Sequence, residues 1–146
     1  MLTARAPLVG SILFVLLTGG TAGAAPDAMP AGLYELTTET VMPHLEEALR
    51  YATTRETRCL GQGDLATAFP ILAHDALRGC RLDRRDPGQD RDDYVLVCGG
   101  TGGAAGSAEW QHHGGRLRGT LNVRLGGKNM TFSQRITATL IGPCPP

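Results

Sequence analysis

From Arg116 to Leu140 polar and apolar side chains alternate with a period of two, a spacing that suits a strand with one buried face and cannot form a helix stripe. Leu117, Leu121, Val123 and Leu125 alternate with Arg116, Arg118, Thr120, Asn122 and Arg124. After Gly126-Gly127 the apolar series resumes as Met130, Phe132, Ile136, Ala138 and Leu140. A two-residue Gly-Gly turn predicts that Leu125 pairs with Lys128, Val123 with Met130, Leu121 with Phe132 and Leu117 with Ile136. A one-residue slip would send the two apolar sets to opposite faces, so the facing of each residue is strongly specified. Ala108, Trp110 and the turn His113-Gly114-Gly115 supply a further strand just before.

Elsewhere β formers again dominate. Leu33 to Val41 predicts the first strand, ended by Met42-Pro43. Leu45, Ala48, Leu49 and Ala52 fall at helical spacing, compatible with a short helix or a long connector, and Thr53 to Cys59 suggests a second strand without a buried face. Asp64 is expected to cap a helix through Leu65, Ala66 and Phe69; Pro70 either kinks it or starts a second turn to Leu77, with Gly79 as the stop. Gly99 to Gly106 predicts a turn between strands; no Lys-Ser/Thr follows it and no helix opens after it, as a phosphate loop would require. The fold class expected is mainly β: an antiparallel meander of about six or seven strands, a curved sheet with one short helix and two disulfides.

The disulfides follow from Cys59, Cys80, Cys98 and Cys144, an even set with no CxxC spacing. Cys80-Arg81-Leu82 and Tyr94 to Cys98 flank the polar turn Asp86 to Arg91. A register centred on Gln89 sets Cys80 opposite Cys98 and Leu82 opposite Leu96. The remaining pair is Cys59 with Cys144. Zinc held by the same thiols, or a redox role, fits the spacing poorly.

Such bridges need an oxidising compartment, and the N-terminus points there. Arg5 precedes an apolar run from Leu8 to Leu17 that is short for a membrane span, followed by Ala22-Gly23-Ala24, a pattern expected of a signal peptide over residues 1–24. Residues 25–146 would then form a single disulfide-stapled β-rich domain, periplasmic or secreted, with no stable membrane anchor after cleavage. The chain has 14 Lys+Arg and 14 Asp+Glu, and Arg5 is the one charged residue before Ala25, so the remainder carries a formal charge of −1. That balance favours neither nucleic acid nor an anionic membrane.

Ala31-Gly32-Leu33-Tyr34-Glu35-Leu36-Thr37 after a signal segment, the four spaced cysteines, and Gly127-Lys128-Asn129-Met130 through Arg135-Ile136 to Gly142-Pro143-Cys144 carry a resemblance. Over most of the mature chain the sequence resembles the exported bacterial proteins of domain-of-unknown-function family 3617. Tyr34 stands where members have Trp, and their methionine-rich stretch is reduced to Met42. The resemblance implies an extracytoplasmic domain; it supplies no activity, substrate or catalytic residue.

Chemistry must therefore come from the residues themselves. His112 and His113 are neighbours, so on a strand they face opposite ways and make weak metal candidates; His44 and His74 stand apart. The mature chain has two serines, Ser107 and Ser133, without a nucleophile-elbow pattern, and Glu46-Glu47 and Asp92-Asp93 suit a solvated surface. A catalytic set, as in an uncharacterised hydrolase, does not emerge, and nothing asks for a cofactor. The more pointed feature is the polar face of the last hairpin. The Gly-Gly register sets Arg118 opposite Arg135 and Arg116 opposite Thr137, with Arg124 on the same face among Thr120, Asn122, Thr131 and Ser133. That face is suited to an anionic ligand or an acidic envelope protein, unless acids such as Glu35 or Glu39 neutralise it. Gln134, opposite Gly119 on the apolar face, would instead suit a lipid-like carrier with an apolar pocket, or satisfy a backbone group. The function expected is an exported, non-enzymatic binding or accessory domain.

Overall fold

The alternation at 116–140 does form two long strands. The computed structural model describes residues 29–42, 51–88, 90–100, 103–126 and 130–146. Seven strands, β1 (Gly32–Val41), β2 (Tyr51–Leu60), β3 (Cys80–Pro87), β4 (Arg91–Cys98), β5 (Ala105–His113), β6 (Arg116–Leu125) and β7 (Met130–Gly142), make one antiparallel sheet in the order β2-β1-β7-β6-β5-β4-β3. The last five form the expected meander. Residues 1–24, expected to be a signal peptide, together with His44, Glu46-Glu47 and most of the Leu45–Ala52 segment, lie outside the described residues; Ala52 itself belongs to β2. β2 is exposed over Tyr51 to Thr57, as an edge strand without a buried face should be.

The chain leaves β2 at one edge and re-enters the sheet as β3 at the other, so residues 61–79 must cross the inner face. They do so as three 3-10 turns, η1 (Gln62–Thr67), η2 (Pro70–Ala73) and η3 (Asp75–Leu77), where one helix was expected. Pro70 holds Phe69 extended (ψ 112°), and His74 is extended as well (ψ 143°), so helical hydrogen bonding is interrupted twice. Asp64 is not the cap residue; its carboxylate accepts the Gly61 N–H at 2.7 Å from the third helical position. Gly79, at φ 80°, ends the segment as expected.

Under the sheet, Leu65, Phe69 and Leu77 from this connection meet Tyr34, Leu36, Leu121, Ile136 and Trp110, all nearly inaccessible. The Phe69 and Trp110 ring centroids are 5.1 Å apart, and the indole N–H donates to the Leu65 carbonyl at 3.1 Å. Gln134 binds locally: its Oε1 accepts the Ile71 N–H at 3.3 Å and its Nε2 donates to Thr40 at 2.8 Å. It faces Leu121 rather than Gly119, and it ties the connection to the sheet.

Both disulfides form as paired above, Cys80–Cys98 across β3 and β4 and Cys59–Cys144 from β2 to the tail after β7. Leu82 faces Leu96 as the Gln89-centred register requires. The last hairpin is slipped by two residues. Leu125 pairs with Met130, Val123 with Phe132 and Leu117 with Ala138, because four residues, 126–129, separate the strands where a two-residue turn was expected. A shift of two keeps every side chain on its face, so the alternation is satisfied either way.

Burial pushes the phenols of Tyr34 and Tyr94 up, with Asp92 adding to the effect at Tyr94 and Arg84 opposing it. A raised folded pKa contributes stability that is whole below the unfolded value of about 10 and is lost as pH climbs through the folded values. Denaturant midpoints are therefore expected to hold to about pH 9 and to fall above about pH 10; a flat profile to about pH 12 would contradict this burial.

Candidate anion-binding face

Two polar assemblies stand out, one buried and one exposed. The buried one arises because Arg84, Asp92 and His112 occupy positions in phase with apolar neighbours: Cys80 and Leu82 on β3, Tyr94 and Leu96 on β4, Ala108 and Trp110 on β5. Asp92 is completely inaccessible, which corrects the expectation that Asp92-Asp93 is a solvated pair. Its Oδ1 accepts from Arg84 Nε at 3.0 Å and from Nη2 of the same guanidinium, and its Oδ2 accepts from Gln62 Nε2 at 2.8 Å. His112 Nε2 lies 3.7 Å from Oδ2 and has no hydrogen-bond partner among the described residues.

This cluster joins η1, β3, β4 and β5, and its chemistry is that of a clamp. A hydrolytic triad would need a nucleophile beside the imidazole. All four cysteines are in disulfides, while Ser107 and Ser133 lie on the opposite, outer face. Asp92→Ala is expected to lower stability by about 2–4 kcal/mol in urea denaturation, less than the full cost of breaking a buried pair because Arg84, 40% exposed, can rehydrate. A loss below about 0.5 kcal/mol would remove the cluster from any structural role.

The exposed assembly is the outer face of β6 and β7. Arg116, Arg118 and Arg124 project from β6 and Arg135 from β7, all exposed and all on one face. The slipped register corrects their partners: Arg118 faces Thr137, Arg116 faces Thr139 and Arg135 faces Thr120, so no two arginines oppose each other directly. Arg135 reaches Glu39 on β1 at 3.6 Å. Arg116, Arg118 and Arg124 form no ion pair with any described carboxylate.

On the β5 side, Arg116 faces His113 and Arg118 faces Gln111. Gln111, His113, Arg116, Arg118, Thr137 and Thr139 thus surround a hollow of 340 Å³. Cross-strand neighbours on one face lie about 5 Å apart, so two guanidinium groups, an imidazole, an amide and two hydroxyls can converge on one anionic group. His113 enters this set and His112 the core, as their adjacency on a strand requires; His74 is exposed, with Nδ1 accepting the Ala76 N–H at 3.1 Å. No group of three or more metal-ligating side chains occurs among the described residues.

Sequence reasoning located the arginine face but missed the contributions of Gln111 and His113, and it missed the buried clamp. The clamp had a signal: Asp92, Arg84 and His112 each fall on the apolar phase of their strand. No helix among the described residues is long and apolar enough to cross a membrane, and two disulfides mark an oxidising, non-cytoplasmic compartment. Comparison with family models, curated proteins and solved structures finds no match to the chain.

Proposed function

We propose that this chain is an exported binding or accessory domain of the cell envelope, periplasmic or secreted, that holds an anionic group on the outer face of β5–β7 without transforming it. The observation that carries the reading is the pair Arg116 and Arg118, side by side on one exposed face without a described acidic partner and ringed by His113, Gln111, Thr137 and Thr139. Uncompensated like charges on one short stretch repel, and an anion relieves that repulsion while gaining charge-assisted hydrogen bonds. The paired cysteines favour binding over turnover, since no thiol is free to act as a nucleophile. The likeness of the 31–37 and 127–144 stretches to family 3617 belongs to the same proposal and agrees with an extracytoplasmic residence.

The test is titration of the oxidised protein with inorganic phosphate, followed by amide NMR shifts. Shifts are expected at Gln111, His113 and Thr137. Arg116→Ala with Arg118→Ala is expected to weaken binding at least about 10- to 100-fold, the worth of one hydrogen bond to a charged group, with stability changed by less than about 0.5 kcal/mol. Phosphate binding unchanged in the double variant, or absent from the parent, overturns the assignment.

A further inference from the structure

Arg124 lies at the far end of β6 from Arg116 and Arg118, on the same face, exposed and likewise without an ion pair to a described acid. Eight strand steps separate Arg116 from Arg124, on the order of 27 Å. Between them β6 presents Thr120 and Asn122, and β7 presents Thr131, Ser133 and Thr137, all uncharged hydrogen-bonding groups. Arg135 is the one charge in that strip, and Glu39 neutralises it.

The strip carries shallow, open hollows. A trough of 570 Å³ surrounds Arg124, bordered by Val41, Ser107, Asn122, Thr131 and Ser133. It shares Val41, Asn122 and Ser133 with a smaller hollow of 120 Å³ that reaches Thr120, Arg135 and Tyr51. One register step further along β6 and β7 lies the Arg116–Arg118 hollow. Tyr51 is 54% exposed, an unusual state for an aromatic ring, and it stands on the outer face beside Val41, to which it is paired. Toward β3, Asp86, Asp93 and Glu109 line up on adjacent strands, with Arg91 bridging the last two at 3.0 Å each.

Resting on the anion-binding reading above, we infer that the ligand is a linear acidic polysaccharide lying along β6 and β7. Its acidic groups meet Arg116 and Arg118 at one end and Arg124 at the other, its hydroxyls bond the Thr, Ser and Asn side chains between, and a sugar ring packs its C–H face on Tyr51. A single-stranded nucleic acid would want a succession of stacking rings, and Tyr51 is the one exposed aromatic among the described residues.

The probes are oligogalacturonates of increasing length, galacturonic acid, inorganic phosphate and an acidic peptide of matched charge, titrated calorimetrically into the oxidised protein. Affinity is expected to rise with oligomer length until the strip is spanned and then level off. Arg124→Glu is expected to weaken the long oligomer on the order of 10-fold or more, and Tyr51→Ala several-fold, while both leave phosphate binding unchanged. Phosphate binding together with oligomers no tighter than the monomer overturns the polysaccharide and spares the anion site. Failure of every probe overturns both. A peptide that binds as tightly as the long oligomer, or an R124E variant that retains the long oligomer, also overturns the inference.

Discussion

Replacing Trp110 by alanine is expected to lower the free energy of unfolding by about 3–5 kcal/mol, a large share of the stability of a domain this size. The ring is fully buried, packs on Phe69, and donates its N–H to Leu65, so it holds the crossing connection to the sheet by both apolar contact and a hydrogen bond. It fits because β6 has no side chain beneath it: a Cβ on Gly119 would sit 2.7–2.8 Å from three atoms of the indole. Gly119→Ala should therefore cost about 1–3 kcal/mol through overpacking, with W110F intermediate because it keeps a ring and loses the donor. Urea denaturation followed by far-ultraviolet circular dichroism measures all three, since W110A and W110F remove the chain's single tryptophan. A loss under about 1 kcal/mol for W110A would mean the connection is not anchored there.

Removing the Cys59–Cys144 bridge as the double variant C59A/C144A is expected to cost about 4–5 kcal/mol, because it closes a loop with a sequence separation of 85. The Cys80–Cys98 bridge closes a separation of 18 and should contribute about 3 kcal/mol. The long bridge ties edge strand β2 to the tail beyond β7, across β1, so its loss frees the unfolded chain far more than loss of a staple within one hairpin. Paired alanine replacements avoid stray thiols and make the comparison clean. If C80A/C98A proved the more destabilised of the two, loop closure would not be the dominant effect.

The candidate site divides in the same way as the fold. Period-two alternation alone sufficed to put Arg116, Arg118, Arg124 and Arg135 on one outward face, because side-chain facing along a strand depends on parity and on nothing remote. It could not say which arginine lies beside which threonine, since a two-residue slip preserves parity and the Gly126-Gly127 pair suggested a two-residue connection where β6 ends at Leu125 and β7 begins at Met130. Glu39 reaches Arg135, and not Arg116, only because β7 returns to lie beside β1. Asp92 lay on the apolar phase of β4 in plain view; its burial depends on Arg84 and Gln62 arriving from β3 and η1.

By itself, then, the sequence determined the β character, the inward and outward sets of the later strands, and the Cys80–Cys98 pair, all of which depend on residues near one another in the chain or on parity; the distant Cys59–Cys144 pair followed only as the two cysteines left over. Tertiary structure decided the register of β6 against β7, the seating of β1 between β2 and β7, the breakup of the expected helix into three 3-10 turns, and the burial of Asp92. Those outcomes turn on contacts between segments distant in sequence, where a single close fit, such as an indole against a glycine, outweighs local preference.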